Sequence, residues 1–257
     1  MSKRFTLPVL LLVAAASVTL VGCLPPAQQA NRPQLFLSLP DSCNTPDGMT
    51  LDPATGNIIL ACPNFNDTKF PGILMKIDPS NKASKFFDMP PHPETGKAGP
   101  MGLDFGPDGN LYVADNQYFN DKNYKSRLIR VNIKDGKPVG ADVVVDGFKL
   151  SNAVIWKGND VYVSDTFFDL PDKPGASGIY RISLDEMAKG TVKLQPNATD
   201  PHLIAQFVTV PNHRKDVAGA DGLTFDSKGN LYTGNFGDGV FSKITFDSSG
   251  KDRKSVV

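Results

Sequence analysis

Three side chains with oxygen donors occupy the same place in a repeated pattern. Asp47 and Asp221 each precede a glycine, and Asn152 precedes an alanine, at the beginning of a short apolar segment. Carboxylate and amide oxygens suit a hard cation such as Ca²⁺, which takes about six to eight of them. Histidine and cysteine are absent from these positions, which argues against zinc. The pattern predicts a calcium site formed by Asp47, Asn152 and Asp221.

A simpler interpretation of the same residues is that they are turn residues. Asp and Asn often begin turns because their side chains hydrogen-bond to the local backbone. The fourth equivalent position holds Met101, which has no oxygen donor. One Asp before a glycine would need no further explanation. Three oxygen donors at equivalent positions of the repeated units instead indicate that the side chains meet at a shared site.

Four similar units carry these residues. Each has a short apolar strand, a glycine-containing turn and a second β-rich strand, which is the pattern of a hairpin. The units begin at residues 46, 100, 151 and 220. A third strand is predicted after each of them, at 73–77, 127–133, 178–184 and 239–246. Strand, turn, strand, loop and strand make up most of a propeller blade.

The repeat predicts an all-β protein with the β-propeller fold. The units lie roughly 50 to 70 residues apart, near the ~40 to 50 residues of known blades. The longest gap holds an extra segment at 191–217, and residues 184–189 have the pattern of one helical turn. A β-sandwich with accidental similarity between its strands is the alternative.

The number of units predicts an incomplete ring of about four to five blades. Propellers avoid exposed strand edges by closing the circle, and four units do not close a six-bladed ring. We therefore expect the native chain to continue beyond Val257, or another strand to close the ring. Residues 34–39 have strand character and are a candidate for completing the last blade.

The N-terminus has the pattern of an export signal. A positive start at Lys3 and Arg4 precedes an apolar stretch that ends in Leu20-Val21-Gly22-Cys23. This tetrad resembles a lipobox, in which a lipid such as palmitate is attached to the cysteine and the chain is cut before it. A transmembrane anchor is the alternative, but the stretch is shorter than the usual ~20 residues. A plain signal peptide would need no cysteine.

The predicted organisation has three parts. They are a lipoprotein signal peptide at 1–22, a flexible Pro- and Gln-rich tether at 23–33 and a propeller domain at 34–257. By resemblance to Gram-negative lipoproteins, the absence of Asp after Cys23 implies a lipid anchor in the outer membrane, facing the periplasm. Lys plus Arg and Asp plus Glu both number 27, so no charge bias favours nucleic acid as a partner.

Two cysteines remain after acylation of Cys23. In an oxidising compartment, the leftover pair Cys43 and Cys62 indicates a disulfide. The two residues flank a predicted hairpin, so they can lie near each other. Two buried thiols are the alternative.

Two of the units resemble the senescence-marker-protein/gluconolactonase (regucalcin-like) family. The segments are Ala220-Asp221-Gly222-Leu223-Thr224-Phe225-Asp226 with Gly229-Asn230-Leu231-Tyr232, and Ser151-Asn152-Ala153-Val154-Ile155-Trp156. The resemblance covers roughly residues 40–250. It implies a six-bladed propeller with one catalytic Ca²⁺ in the channel, Asn152 and Asp221 as ligands, and Asp221 also as general base. Asp47 stands where gluconolactonases carry a Glu ligand.

The chain departs from this family at Met101. Some members carry a substrate-binding Asn there, whereas the strictosidine-synthase-like branch usually carries an apolar residue. The departure weakens the case for a sugar lactone. We predict a substrate pocket formed by Met101, Phe167 and Phe236, because the two phenylalanines follow second strands and can wall a pocket at one face.

Two functions from different classes remain open at this point. In the first, Ca²⁺ polarises the carbonyl of a lactone or ester, and a carboxylate activates water. In the second, the chain is a non-catalytic propeller lipoprotein that binds a small ligand or a protein partner. Propellers serve both functions, so the fold does not decide whether the protein is an enzyme.

Overall fold

The structure, a computed structural model, describes residues 33–169, 176–195, 199–208, 219–247 and 252–256. The predicted signal peptide at 1–22, the acylation site Cys23 and the tether up to residue 32 lie outside these residues. The chain divides into two compact units, Met1–Phe36 and Leu37–Val257. Within the described ranges, no helix is both long and apolar enough to cross a membrane.

The second unit contains four antiparallel blades, one for each predicted repeat. Blade 1 contains β1 (Met49–Leu51), β2 (Ile58–Cys62), β3 (Ile73–Ile77) and β4 (Ala83–Asp88). Blade 2 contains β5 (Pro100–Phe105), β6 (Leu111–Asp115), β7 (Ser126–Lys134) and β8 (Lys137–Phe148). Blade 3 contains β9 (Ser151–Lys157), β10 (Asp160–Phe168), β11 (Ala176–Ser183) and β13 (Leu203–Val208). Blade 4 contains β14 (Ala220–Phe225), β15 (Leu231–Asn235), β16 (Phe241–Phe246) and β17 (Asp252–Val256). The predicted all-β propeller is confirmed.

The extra segment before blade 4 extends two of the blades. Its first strand, β12 (Val192–Lys193), pairs in parallel with β8 of blade 2, and β13 becomes the fourth strand of blade 3. The predicted helical turn is α1 (Leu184–Met187), which begins where the Ser183 hydroxyl accepts the Glu186 N–H. Residues 34–39 form no strand, and β17 is the fourth strand of blade 4.

The hairpin turns share the same hydrogen bonds from backbone N–H groups to an Asp side chain. Asp108 accepts the N–H of Asn110, and Asp226 accepts the N–H groups of Lys228 and Asn230. Such side chain to backbone bonds favour turns over continued strand. Gly109, with φ +78°, completes its turn in the left-handed region, where a side chain would be strained. These interactions fix the register of the first two strands.

Apolar clusters join each pair of consecutive blades. Ile59 and Leu74 of blade 1 pack with Leu103 and Leu111 of blade 2. The clusters between blades 2 and 3 and between blades 3 and 4 are built in the same way, around Tyr180 and Leu231 respectively among others. The blades are therefore held face to face by buried side chains, which fixes the positions of their first strands.

In blades 1, 2 and 3, a side chain ties the end of the second strand to the loop that leads into the first strand. In blade 1 the tie is a disulfide between Cys43 and Cys62, whose Cα atoms are 5.1 Å apart. In blade 2 the Asp115 carboxylate accepts the N–H of Gly99 at 2.8 Å. In blade 3 the Asp165 carboxylate accepts the N–H of Leu150 at 2.7 Å. The disulfide thus stands where blades 2 and 3 use a buried carboxylate.

Candidate functional site

The predicted metal ligands lie where the first strand of each blade is irregular. In blade 3, Ser151 pairs with Asp165 and Val154 pairs with Val163, so Asn152 and Ala153 together oppose Ser164. In blade 4, Ala220 pairs with Asn235 and Leu223 with Thr233, so Asp221 and Gly222 together oppose Gly234. Two residues opposite one form a β-bulge, which bends the strand and redirects its side chains.

Blades 1 and 2 repeat this irregularity. Asp47 donates its N–H to the carbonyl of Ala61, and the N–H of Ala61 donates to the carbonyl of Gly48, so both residues oppose Ala61. Met101 and Gly102 occupy the equivalent place in blade 2. The bulge explains why the oxygen donors of three separate blades share one phase of the repeat.

In blades 1 and 2, the glycine after the bulged residue is required by the next blade. A Cβ atom at Gly48 would lie 2.6 Å from the carbonyl oxygen of Met101, and one at Gly102 would lie 2.5 Å from that of Asn152. Contacts this short do not occur between a Cβ atom and a backbone oxygen. The Asp47-Gly48 and Met101-Gly102 pairs therefore reflect close packing of neighbouring first strands.

Asn152 and Asp221 meet across the boundary between blades 3 and 4. Asn152 Nδ2 donates a hydrogen bond of 2.8 Å to Asp221 Oδ1, although the residues are 69 positions apart in the chain. A second hydrogen bond joins Nδ2 to the hydroxyl of Thr166 at 3.2 Å. Within the described residues, both side-chain hydrogen bonds of Asn152 use Nδ2, which leaves Oδ1 available to a cation.

Asp47 lies close enough to Asp221 for their charges to interact. Part of Asp47 faces solvent, but the protein atoms around its carboxyl group raise its pKa, and the Asp221 carboxylate raises it further. Burial also raises the pKa of Asp221, against the opposing effect of the hydrogen bond from Asn152. Burial and a like charge both disfavour the ionised form. A cation between the two carboxylates would remove this penalty.

Three hydroxyl groups of blade 3 hold the strand that carries Asp221. Ser164 donates to the Asp221 carbonyl at 2.8 Å, Thr166 donates to the Ala220 carbonyl at 2.8 Å, and Ser177 accepts the Ala220 N–H at 2.9 Å. All three residues are buried. The repeat pattern did not predict their role, although Ser164 and Thr166 alternate along one strand and therefore point to the same face.

Thr166→Val is expected to weaken Ca²⁺ binding about tenfold. The hydroxyl donates to the Ala220 carbonyl, so it can only accept from Asn152, and this fixes the orientation of the amide. Without it, Asn152 loses one of its two anchors, at roughly the worth of one hydrogen bond. Calorimetric titration with Ca²⁺ measures the change. Thr166→Ser keeps the hydroxyl and should retain most of the affinity, and equal affinity in Val and Ser variants would contradict the role.

The donor set fits calcium in its chemistry. In the described part of the chain, no group of three or more His, Cys, Asp or Glu side chains could hold a metal. The candidate set is instead two carboxylates and one amide oxygen, all of which Ca²⁺ accepts, and three protein oxygens leave positions for water and a substrate. Zinc sites are usually built on histidine nitrogen or cysteine sulfur ligands, which this set does not contain.

The predicted pocket residues occupy three different environments. Met101 is 8% exposed and belongs to the core cluster between blades 2 and 3. Phe236 is 63% exposed. Phe167 is half-buried and stacks on Tyr118 with ring centroids 4.9 Å apart. A cavity of about 280 Å³, lined by Phe65, Phe70 and Met89 among others, lies beside blade 1 and includes none of the candidate ligands.

Comparisons with known proteins identify relatives by fold. The sequence matches no protein-family model and no curated protein. A solved structure assigned as a gluconolactonase is 15% identical, with a TM-score of 0.52 over 82% of this chain and 63% of that one. A protein from Lactobacillus plantarum is also 15% identical, with a TM-score of 0.52 over 82% of this chain and 56% of that one.

A third solved structure is a gluconolactonase from Xanthomonas campestris, 14% identical over 82% of this chain and 75% of that one. Its TM-score is 0.44. The chain spans less than two thirds of the length of the first two structures. The first two comparisons show that the chain has the fold of gluconolactonase-like β-propellers, although its sequence identity to them is low.

Proposed function

We propose that the protein hydrolyses a lactone or an ester with one Ca²⁺ held by Asp47, Asn152 and Asp221. The observation that carries this proposal is the 2.8 Å hydrogen bond between Asn152 and Asp221, with the Asp47 carboxylate close enough to interact. Two like charges held together in a partly buried place are unfavourable without a cation. The similarity of fold to a protein assigned as a gluconolactonase is consistent with the reaction class.

A bound Ca²⁺ would polarise the substrate carbonyl as a Lewis acid. Asp221 accepts a proton from water while the water oxygen bonds to the carbonyl carbon. The acyl C–O bond then breaks, and the leaving oxygen takes the proton back from Asp221. Asn152 and Thr166 orient the carboxylate.

Hydrolysis assays with controlled metal test the proposal. Purified protein, stripped with a chelator and then supplied with Ca²⁺, is assayed against a panel of lactones and aryl esters. We expect turnover with Ca²⁺ and loss of turnover after chelation. Ca²⁺ binding without turnover of any substrate would instead favour the non-catalytic binding propeller, and no Ca²⁺ binding at all would contradict the proposal.

The affinity for Ca²⁺ is expected to fall on mild acidification. Ca²⁺ binds the ionised carboxylates, and the pKa values of Asp47 and Asp221 both lie above the ordinary value of 3.8. Protons therefore compete at a higher pH than they would for ordinary carboxyl groups. Calorimetric titrations from about pH 7 down to pH 4, near the ordinary carboxyl pKa, measure the effect. An affinity that stays constant over this range would contradict the involvement of these two groups.

The same proposal places the protein at the bacterial cell envelope, anchored by a lipid on Cys23 in the outer membrane and facing the periplasm. The export pattern before Cys23 supports this location, and the Cys43–Cys62 disulfide suits an oxidising compartment. Mass spectrometry of the processed protein should find Cys23 as the first residue, with a lipid attached. An unmodified N-terminus elsewhere would contradict the anchor.

A further inference from the structure

Four aromatic rings form a continuous row over three blades. Phe65 meets Phe119 edge to face with centroids 5.0 Å apart, Phe119 meets Tyr118 at 5.9 Å, and Tyr118 stacks on Phe167 at 4.9 Å. Phe65 follows the second strand of blade 1, Tyr118 and Phe119 follow that of blade 2, and Phe167 lies at the end of the second strand of blade 3. Because second strands end where first strands begin, the row lies on the same side of the blades as the candidate ligands.

Both ends of this aromatic row are attached beside the candidate site. At one end, the N–H of Phe65 donates to the Thr45 hydroxyl at 2.8 Å, two residues before Asp47. At the other end, Phe167 directly follows Thr166, whose hydroxyl accepts a hydrogen bond from Asn152. The row therefore runs from the Asp47 side of the site to the Asn152 side.

The middle of the row belongs to blade 2, which supplies no oxygen donor. Its bulged residue is the buried Met101, and Tyr118 and Phe119 follow its second strand. Phe119 is 63% exposed, although its neighbours in the row are partly buried. A single exposed phenylalanine needs no explanation, but an exposed ring within a contiguous apolar surface indicates a binding surface.

We infer that the aromatic row is the wall against which an apolar alkyl or aryl group of the substrate packs. This inference rests on the proposed function and specifies its substrate class: a lactone or ester with a hydrocarbon substituent, not a polyhydroxylated sugar lactone. The side chains of the row offer one hydroxyl group, that of Tyr118, whereas a sugar needs several buried hydrogen-bond partners to replace those that it makes with water.

Three lactones with the same six-membered ring test the inference. They are δ-valerolactone, which has no substituent, δ-dodecalactone, which has a heptyl chain, and D-glucono-δ-lactone, which has hydroxyl groups. We expect kcat/KM for δ-dodecalactone to exceed the other two by tenfold or more. Phe119→Ala should remove most of this advantage, because the inference places the exposed Phe119 ring against the heptyl chain.

A control variant and a binding measurement keep the test decisive. Phe241→Ala removes a similarly exposed ring, 57% exposed, from the third strand of blade 4, and should change none of the three rates. The ketone 3-heptylcyclohexanone has the chain but no ester bond, and its binding should weaken about tenfold in Phe119→Ala. Turnover that favours D-glucono-δ-lactone, or ketone binding unaffected by Phe119→Ala, would overturn the inference. Ketone binding through Phe119 without turnover of any lactone would contradict only the proposed hydrolase.

Discussion

Asp221→Asn is expected to abolish Ca²⁺ binding and hydrolysis together. The substitution keeps the shape of the side chain but removes one of the two charges that would hold the proposed ion, so the affinity should fall at least about 100-fold. Loss of the general base alone lowers kcat by about 100- to 10,000-fold. Calorimetry with Ca²⁺ and a lactone assay on the same preparations measure both effects.

The matched control for this experiment is Asp104→Asn. Asp104 is also half-buried with a raised pKa, but it accepts hydrogen bonds from Thr50 and from the backbone of Trp156. It should lose some stability and retain Ca²⁺ affinity. Without Ca²⁺, Asp221→Asn should be as resistant to unfolding as wild type or more so, because it relieves the repulsion on Asp47. Full Ca²⁺ affinity in Asp221→Asn would contradict the site.

Asp115→Leu is expected to lower the free energy of unfolding by about 3 to 5 kcal/mol, the usual cost of breaking a buried ion pair. Asp115 is fully buried, and its carboxylate accepts a 2.9 Å hydrogen bond from Arg127 Nε as well as bonds from Gln117 and Gly99. The side chain of Arg127 is 6% exposed. The substitution would leave this guanidinium buried without its counter-charge. Urea denaturation followed by circular dichroism measures the loss.

Two variants separate the buried charge from other effects. Asp142→Ala breaks the more exposed pair with Arg130, where Asp142 is 52% exposed, and should cost less than about 1 kcal/mol. The double variant Asp115→Leu/Arg127→Leu should be more stable than Asp115→Leu, because no uncompensated charge remains. A double variant that is less stable than the single one would show that the hydrogen bonds to the loop, and not the charge, determine the stability.

The repeat in the sequence was enough to predict the first three strands of each blade, because they are apolar, β-rich and separated by Asp- and Gly-containing turns. The fourth strands were not individually predicted. In β4, for example, no residue is fully buried, so its sequence ASKFFD lacks the apolar signal of an inner strand. Pairing with a neighbouring strand defines such outer strands, and pairing is not visible in a single sequence.

The candidate site was predicted from equivalent positions in the sequence repeat, and not from contacts between the residues. Equivalent places in the repeat brought Asp47, Asn152 and Asp221 to the same side of their blades, and the bulges supply the physical reason. The roles of Ser164 and Thr166 could not be predicted, because hydroxyl side chains are common in strands. Met101 shows that position in the repeat does not by itself define the environment of a side chain. Its position predicts a pocket residue, whereas its side chain packs in the core.

A crystal structure of the full-length protein grown with Ca²⁺ tests the calcium site most directly. The proposal predicts one ion bound by Asp47, Asn152 Oδ1 and Asp221 at about 2.3 to 2.6 Å, with water or substrate in the remaining positions. Asn152 should keep its hydrogen bond to Thr166. Saturating Ca²⁺ with no ion among these three side chains, or with an ion held by other residues, would contradict the proposed site.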